Sequence, residues 1–268
     1  MARRRLDAEL ARRGLARSRE QAQALIEAGS VRVDGATASK AATQVEESAA
    51  ILVVDADGAG AYVSRGAHKL IGALDAFPAL DVRGRLALDA GASTGGFTQV
   101  LLERGVREVI AVDVGYGQLA WPLRTDPRVH CLERTNVRTL QAADLPGVPD
   151  LVVADLSFIS LSLVLPALLA STAPTSDYVL MVKPQFEVGR DSVGDGVVRD
   201  PQLRAGAVQQ VADAAQVHGL VVRGVAASPL PGPSGNVEYF LWLGRGDNVP
   251  GLASVPEAID RAVREGPQ

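Results

Sequence analysis

The chain has little of what would place it in an oxidising compartment, in a membrane or on nucleic acid at large. Its 268 residues hold one cysteine, Cys131. No internal disulfide can form, and a reducing cytoplasm is the expected setting. No run approaches the ~20 apolar residues that a spanning helix needs; the richest, Leu161 to Ala170, is short and carries a proline. The first residues, Met-Ala-Arg-Arg-Arg-Leu-Asp-Ala-Glu-Leu, have no apolar core behind their basic cluster, so no secretory signal is expected. Net charge is −4, which counts against indiscriminate binding to nucleic acid. No internal repeat or low-complexity tract occurs. What is present is ordinary globular composition, 47% hydrophobic and 22% charged, at a length that suits one large domain or a large plus a small one.

The charge is unevenly spread. Residues 1–20 hold seven arginines (Arg3, Arg4, Arg5, Arg12, Arg13, Arg17, Arg19) against three acids (Asp7, Glu9, Glu20). A basic end on an acidic protein suggests contact with phosphate, the alternative being a solvated helix face. Leu6, Leu10 and Leu15 fit a short helix with Gly14 near its end, and Ser18 can cap a second through Ala22, Leu25 and Ile26 that stops at Gly29. Val31-Arg-Val33 alternates like a strand and meets Asp34-Gly35, a tight-turn signal. A strand from Ala50 to Val54 precedes the polar turn Asp55-Ala-Asp-Gly58, read as a boundary. The expected organisation is a small α+β module at 1–59, a linker at 60–63 and a larger domain at 64–268.

Apolar runs in the larger domain predict strands at Arg85–Ala90, Val109–Val114, Val129–Leu132, Leu151–Leu156, Tyr178–Val182, Val221–Ala226 and Val237–Leu243. Helical patterns lie between most of them, the longest from Pro201 to His218, and a last helix is expected from Pro256 to Arg264. Such alternation means an α/β fold with a mostly parallel seven-stranded sheet covered on both faces. The last two strands are joined by Ser228-Pro-Leu-Pro-Gly-Pro-Ser-Gly235, too short and too rich in proline for a crossover helix. The last strand should therefore run antiparallel, the shape of a Rossmann-like methyltransferase.

Leu86-Ala-Leu-Asp-Ala-Gly91 is a strand entering a glycine turn, and Thr94 can open the next helix. Gly91, Gly95 and Gly96 would let backbone approach a ligand. The spacing is not Gly-x-Gly-x-x-Gly, which counts against a pyrophosphate clamp. Asp89-Ala-Gly-Ala-Ser-Thr-Gly-Gly-Phe97 instead resembles the donor loop of methyltransferases that use S-adenosylmethionine, and so nominates Asp89, Gly91, Ala92, Ser93, Thr94, Gly95, Gly96 and Phe97. Asp113 ends the second strand, 22 residues after Gly91, where a carboxylate can accept ribose hydroxyls; a helix cap is the plainer alternative. Asn136 and Val137 follow the third strand, where an adenine edge would lie.

Asp155 and Lys183 close the fourth and fifth strands, and in open α/β sheets ligands sit at such carboxyl ends. Glu238 begins the reversed strand, which brings it to the same edge. Lys69, in Ser64-Arg-Gly-Ala-His-Lys69, would pass alone as an exposed helix lysine. The four together resemble the Lys-Asp-Lys-Glu set of FtsJ-like ribose 2′-O-methyltransferases. The front module resembles the S-four-like RNA-binding domain, carried by Leu6-Asp-Ala-Glu-Leu10, Gly14-Leu-Ala-Arg-Ser-Arg19, Ala22, Ile26, Gly29 and Val31-Arg-Val-Asp-Gly35. Nearly the whole chain is similar to the TlyA (hemolysin A) family, which methylates cytidine 2′-hydroxyls in ribosomal RNA. Further matches are Asp113-Val-Gly-Tyr-Gly-Gln118, Asp155-Leu-Ser-Phe-Ile-Ser160, Lys183-Pro-Gln-Phe-Glu187 and Ser234-Gly-Asn-Val-Glu-Tyr-Phe240. One departure is the linker, Gly60-Ala-Tyr62-Val63 where family members often have Arg-x-Trp-Val.

The resemblance implies S-adenosylmethionine as cofactor, no metal, ribosomal RNA or ribosomal subunits as partner, and a monomer. It points to Arg4, Arg17, Arg19 and Arg65 as RNA contacts, with Arg5 and Arg13 as further candidates. Lys183 would orient the hydroxyl, Asp155 and Glu238 would fix both ammonium groups, and Lys69 would complete one network. Lysine can lose its proton when desolvated and neighbouring carboxylates oppose that, so base action by Lys183 stays open. A target nucleotide must leave its stack, and Phe158 or Tyr116 can stack on it unless they are ordinary packing. Gln185 to Asp200 reads as an RNA-ordered lid or a simple loop. The rivals are an RNA-binding protein with membrane-lytic activity, a non-enzymatic RNA-binding module, a small-molecule methyltransferase and a dehydrogenase.

Overall fold

The computed structural model describes residues 3–16, 18–27, 29–53, 62–189, 193–194, 196–246 and 249–267. The small module comprises β1 (Arg3–Arg5), α1 (Leu6–Arg12), α2 (Arg19–Glu27), β2 (Val31–Val33), β3 (Ala36–Thr37), β4 (Gln44–Glu46) and β5 (Ile51–Val53). Leu6, Leu10, Ala22, Ile26, Val31, Val45 and Ile51 form its core. The Ser18 hydroxyl accepts the Gln21 N–H at 3.2 Å, as a helix cap should. Asp34 and Gly35 take φ of +49° and +85°, the pair of left-handed conformations that a two-residue hairpin requires.

One strand is unexpected, and one helix is shorter than expected. Arg3–Arg5 are that strand, paired antiparallel with Gln44–Glu46. Three successive arginines offer no apolar position to bury, and all three stay exposed. Helix α1 stops at Arg12, before Leu15, whose N–H turns back to the Leu10 carbonyl around Gly14. The boundary signal at 55–58 and the first half of the linker lie outside the described residues. Tyr62 and Val63, expected in the linker, pack on the larger domain. Tyr62 meets His68 edge-on at 5.3 Å, and the Val63 N–H donates to Gln99 Oε1 at 2.9 Å.

The larger domain runs α3 (Gly66–Ala76), β6 (Leu86–Ala90), α4 (Gly96–Glu103), β7 (Glu108–Val112), α5 (Trp121–Arg124), β8 (Val129–Leu132), β9 (Leu151–Ala154), α6 (Leu165–Ala170), β10 (Asp177–Val182), α7 (Pro184–Glu187), α8 (Pro201–Val217), β11 (Val221–Ala227), β12 (Tyr239–Gly244) and α9 (Val255–Glu265). The sheet order is β11-β12-β10-β9-β6-β7-β8. Strands β8, β7, β6, β9 and β10 are parallel, while β12 lies antiparallel between β10 and β11. One face packs on α6, α8 and α9 and the other on α3, α4 and α5, so β6, β9, β10 and β12 are buried throughout. Helix α8 starts at Pro201 behind the capping Asp200 side chain and ends before Gly219 at φ +78°. Among the described residues no helix is long and apolar enough to cross a membrane.

The chain lays down β6, β7 and β8 outward, then returns to place β9 on the other side of β6. The crevice at the carboxyl ends of β6 and β9 is thus the switch point where such sheets hold ligands. Strands β7 and β9 end two residues earlier than expected, at Val112 and Ala154. Asp113, Asp155 and Lys183 are each the first residue beyond a strand, and Glu238 is the last before β12.

Candidate active site

Two adjoining clefts occupy this edge. The first, about 470 Å³, is lined by Gly91, Ser93, Asp113, Gln118, Asn136, Val137, Asp155 and Phe158, with Arg13 and Gly14 from the small module. That volume suits a nucleoside-sized ligand. Gly91 sits at φ +87°, and a Cβ there would lie 2.6 Å from the Asp155 carbonyl oxygen, so β6 and β9 close too tightly for any side chain. Asp113 accepts the Ser93 N–H at 2.8 Å and the Gly115 N–H at 2.7 Å. These bonds turn the chain out of β7 and explain the early end of that strand. Asn136 lines the cleft while its Oδ1 caps the short helical turn at 137–139 through the Arg138 N–H.

Three residues expected at the ligand line neither cleft. A Cβ on Gly95 would meet the Leu123 side chain at 2.3 Å, and one on Gly96 would meet Ser64 Oγ at 2.3 Å. Both glycines serve the close packing of α4, which starts at Gly96 rather than Thr94. Asp89 lies fully buried beneath the turn, with its Oδ2 accepting the Thr98 hydroxyl at 2.6 Å and its Oδ1 unpartnered among the described residues. Burial pushes its carboxyl up to about 7, against the pull of Thr98 and helped by repulsion from Asp155 and Asp113.

The second cleft, about 440 Å³, shares Gly91, Ser93, Asp155 and Ser157 with the first and adds Ser64, Arg65, Lys69, Lys183 and Pro233. Gly66, Ala92, Thr94 and Phe97, with Gly14 and Val53 of the small module, complete its wall. The four ionisable residues come together, but as two pairs rather than one network. Lys69 Nζ lies 2.5 Å from Glu238 Oε2, and Lys183 Nζ lies 2.6 Å from Asp155 Oδ1. The sheet order explains the split. β10 lies between β9 and β12, so Lys183 has a carboxylate on either side; it takes Asp155 and leaves Glu238 to Lys69 on α3. Lys183 also donates to Ser157 Oγ at 2.9 Å. Glu238 is 1% exposed, and both lysines are buried.

Several supporting groups escaped the sequence. Glu187 accepts the Ser160 hydroxyl at 2.5 Å and the Leu161 N–H at 2.9 Å, tying the loop after β9 to α7; burial raises its carboxyl. Asn236 accepts the Val198 N–H and donates to the Gly196 carbonyl, anchoring the segment before α8 to the hairpin that carries Glu238. Both lie inside recognisable motifs, but no spacing rule names their partners. Phe158 is 90% exposed at φ +66°, its ring 5.2 Å from that of Phe186, so it is no part of the core. Tyr116 lies under the Arg134 guanidinium, 4.3 Å away.

In the small module Arg4 is exposed on β1, not on a helix. Arg5 and Arg19 both reach Asp7 Oδ2 at 3.0 Å, Arg13 is buried, and Arg17 lies outside the described residues. Arg65 is exposed at the start of α3 and lines the second cleft.

Residues 62–245 match the FtsJ-like methyltransferase family and residues 4–51 the S4 domain. Over 270 aligned residues the chain is 61% identical to the 16S/23S rRNA (cytidine-2'-O)-methyltransferase TlyA of Mycobacterium tuberculosis, with 100% of both chains covered. It is 35% identical to Hemolysin A of Brachyspira hyodysenteriae over 88% of this chain and 98% of that one. A solved structure from Streptococcus thermophilus that carries the hemolysin name is similar at a TM-score of 0.74 and 37% identity, covering 99% of this chain and 96% of the other. With its glycine turn, its switch-point cleft and these matches, the chain belongs to the FtsJ-like methyltransferases, with an S4 domain in front of the catalytic one.

Proposed function

We propose that the chain transfers a methyl group from S-adenosylmethionine to the ribose 2′-hydroxyl of cytidine in ribosomal RNA of the small subunit, the large subunit or both. The Mycobacterium tuberculosis relative carries this activity in its name. The observation that carries the proposal is the pair of lysine–carboxylate contacts in a cleft that shares Gly91, Ser93 and Asp155 with its neighbour. S-adenosylmethionine, when bound, supplies an electrophilic methyl group. Asp113 accepts hydroxyls of its ribose, Asn136 faces its base, and Gly91 to Thr94 with Phe97 wall it. Asp89, Gly95 and Gly96 hold that wall from behind.

A ribose hydroxyl is a weak nucleophile, so its orientation matters; positioning alone can supply up to ~7–11 kcal/mol. Lys183 orients the hydroxyl, with Asp155 and Ser157 fixing its amine, and the hydroxyl proton leaves as the methyl group arrives, to solvent water or to Lys183 Nζ in its neutral form. Lys69, held by Glu238, closes the other side. Phe158 stacks on the extruded base. Arg4, Arg17, Arg19 and Arg65 contact phosphates. The working division is residues 1–59 for RNA, 60–63 as linker and 64–268 for chemistry, in a cytoplasmic monomer.

Lys183→Ala tests the roles. Methylation of ribosomal RNA at saturating S-adenosylmethionine should fall by on the order of 10²–10⁴ while calorimetric binding of the cofactor persists. Wild-type rates would remove Lys183 from the mechanism. Mapping 2′-O-methyl marks on ribosomal RNA from cells with and without the gene tests the substrate; identical maps would refute it.

A further inference from the structure

The first cleft is not built by the methyltransferase domain alone. Arg13 and Gly14, from the turn after α1, line it beside Asp113 and Gln118. The Arg13 side chain is 2% exposed, and its Nε donates to Glu9 Oε1 at 2.8 Å within its own module. Its Nη1 donates to the Ala49 carbonyl at 2.7 Å and, across the domain boundary, to the Gly117 carbonyl at 2.6 Å. Gly117 is also held from the other side. Its N–H donates to Glu133 Oε1 at 2.7 Å, and both Glu133 oxygens are clamped by Arg124 at 2.8 Å. At Gly117 φ is +66°, and a Cβ would lie 2.8 Å from Arg13 Nη1 and 3.1 Å from the Ala49 carbonyl. The same loop carries Asp113, which holds the Ser93 and Gly115 amides, and Gln118, which accepts the Ser93 hydroxyl at 3.3 Å. The RNA-binding domain therefore grips the loop that aims the ribose-site carboxylate.

We infer that Arg13 is a positioning residue that couples the seating of the S4 domain to donor binding. RNA that fixes the S4 domain against the loop at 113–118 strengthens S-adenosylmethionine binding, and by reciprocity the donor strengthens RNA binding by the same factor. This rests on the donor-site assignment proposed above.

The test is calorimetric affinity for S-adenosylmethionine, measured on the full chain with and without a ribosomal RNA fragment that it binds. For the wild-type chain the fragment should tighten donor binding about fivefold or more. In Arg13→Ala and Gly117→Ala that ratio should fall toward one. Arg13→Lys, which still presents a donor to the Gly117 carbonyl, should recover part of it. A purely structural arginine would lower the melting temperature and leave the ratio alone. Gly117→Ala keeps the Arg13–Glu9 pair, so it decides the matter if Arg13→Ala fails to fold. A wild-type ratio near one overturns the inference, as do folded variants that keep the wild-type ratio. A wild-type chain that binds no S-adenosylmethionine refutes the donor-site assignment itself.

Discussion

The two domains partner their buried charges differently. In the S4 domain the acids are inside and the cations reach in. Asp7 is fully buried and collects Arg5, Arg19, Gln23 and its own neighbour's N–H, while Glu9 takes Arg12 and Arg13. The Arg5 guanidinium, with the others, holds the Asp7 carboxyl well below the usual carboxylate range. At the edge of the methyltransferase sheet two lysines are inside as well, Lys69 on Glu238 and Lys183 on Asp155. Asp89 is a third case, a buried acid with no cation on it. The first arrangement fixes outward-facing arginines in a set geometry; the second keeps two ammonium groups at the bottom of a cleft. A count of charges along the sequence cannot tell these apart.

The contrast can be broken at its strongest point. Glu238→Gln leaves Lys69 as an uncompensated buried cation and should cost about 3–5 kcal/mol of stability, read from urea unfolding. A loss below 1 kcal/mol would mean that the pair is solvated in solution. Next is the sign of the pH dependence. The raised Asp89 carboxyl contributes stability that is fully present below its unfolded pKa near 3.9 and is lost as pH rises to about 7, at about 1.4 kcal/mol per pH unit. The lowered Asp7 carboxyl does the reverse, contributing stability above its unfolded pKa that is lost as pH falls further. Asp89→Asn should therefore flatten the unfolding profile between pH 4 and 7 and leave the acid limb; Asp7→Asn should remove part of that limb. An unchanged profile in Asp89→Asn would place its carboxyl in the ordinary range. The smallest effect concerns the outward arginines. Arg19→Ala should weaken binding to ribosomal RNA evenly across sequences and reduce the slope of log affinity against log salt by about one. An unchanged slope would mean that Asp7 already neutralises Arg19.

Much of this could be read before the structure because it depends on local pattern. The glycine turn, the strand ends at Asp155 and Lys183, the capped α8 and the reversed last strand each follow from a few adjacent residues. The failures share another cause. Arg3–Arg5 become a strand only because Gln44–Glu46 lie alongside. Arg13 is buried only because Glu9, Ala49 and Gly117 meet there, from positions far apart in the chain. Gly95 and Gly96 look like ligand glycines in the motif, yet their neighbours are Leu123 and Ser64. The division of four ionisable residues into two pairs depends on which strand lies between which, and no single segment carries that information.

Placing Asp113, Asp155 and Lys183 one step past their strands has a consequence for how the gene can vary. Successive residues of a strand face opposite ways and advance about 3.3 Å each. One residue inserted or deleted within Leu151–Ala154 or Asp177–Val182 would shift the neighbouring polar group by that distance and turn it to the opposite face, even if the sheet still formed. Substitutions inside these short strands can be absorbed by repacking, but changes of length cannot. Length changes compatible with activity belong in the outer loops, and the inner strands keep their residue count.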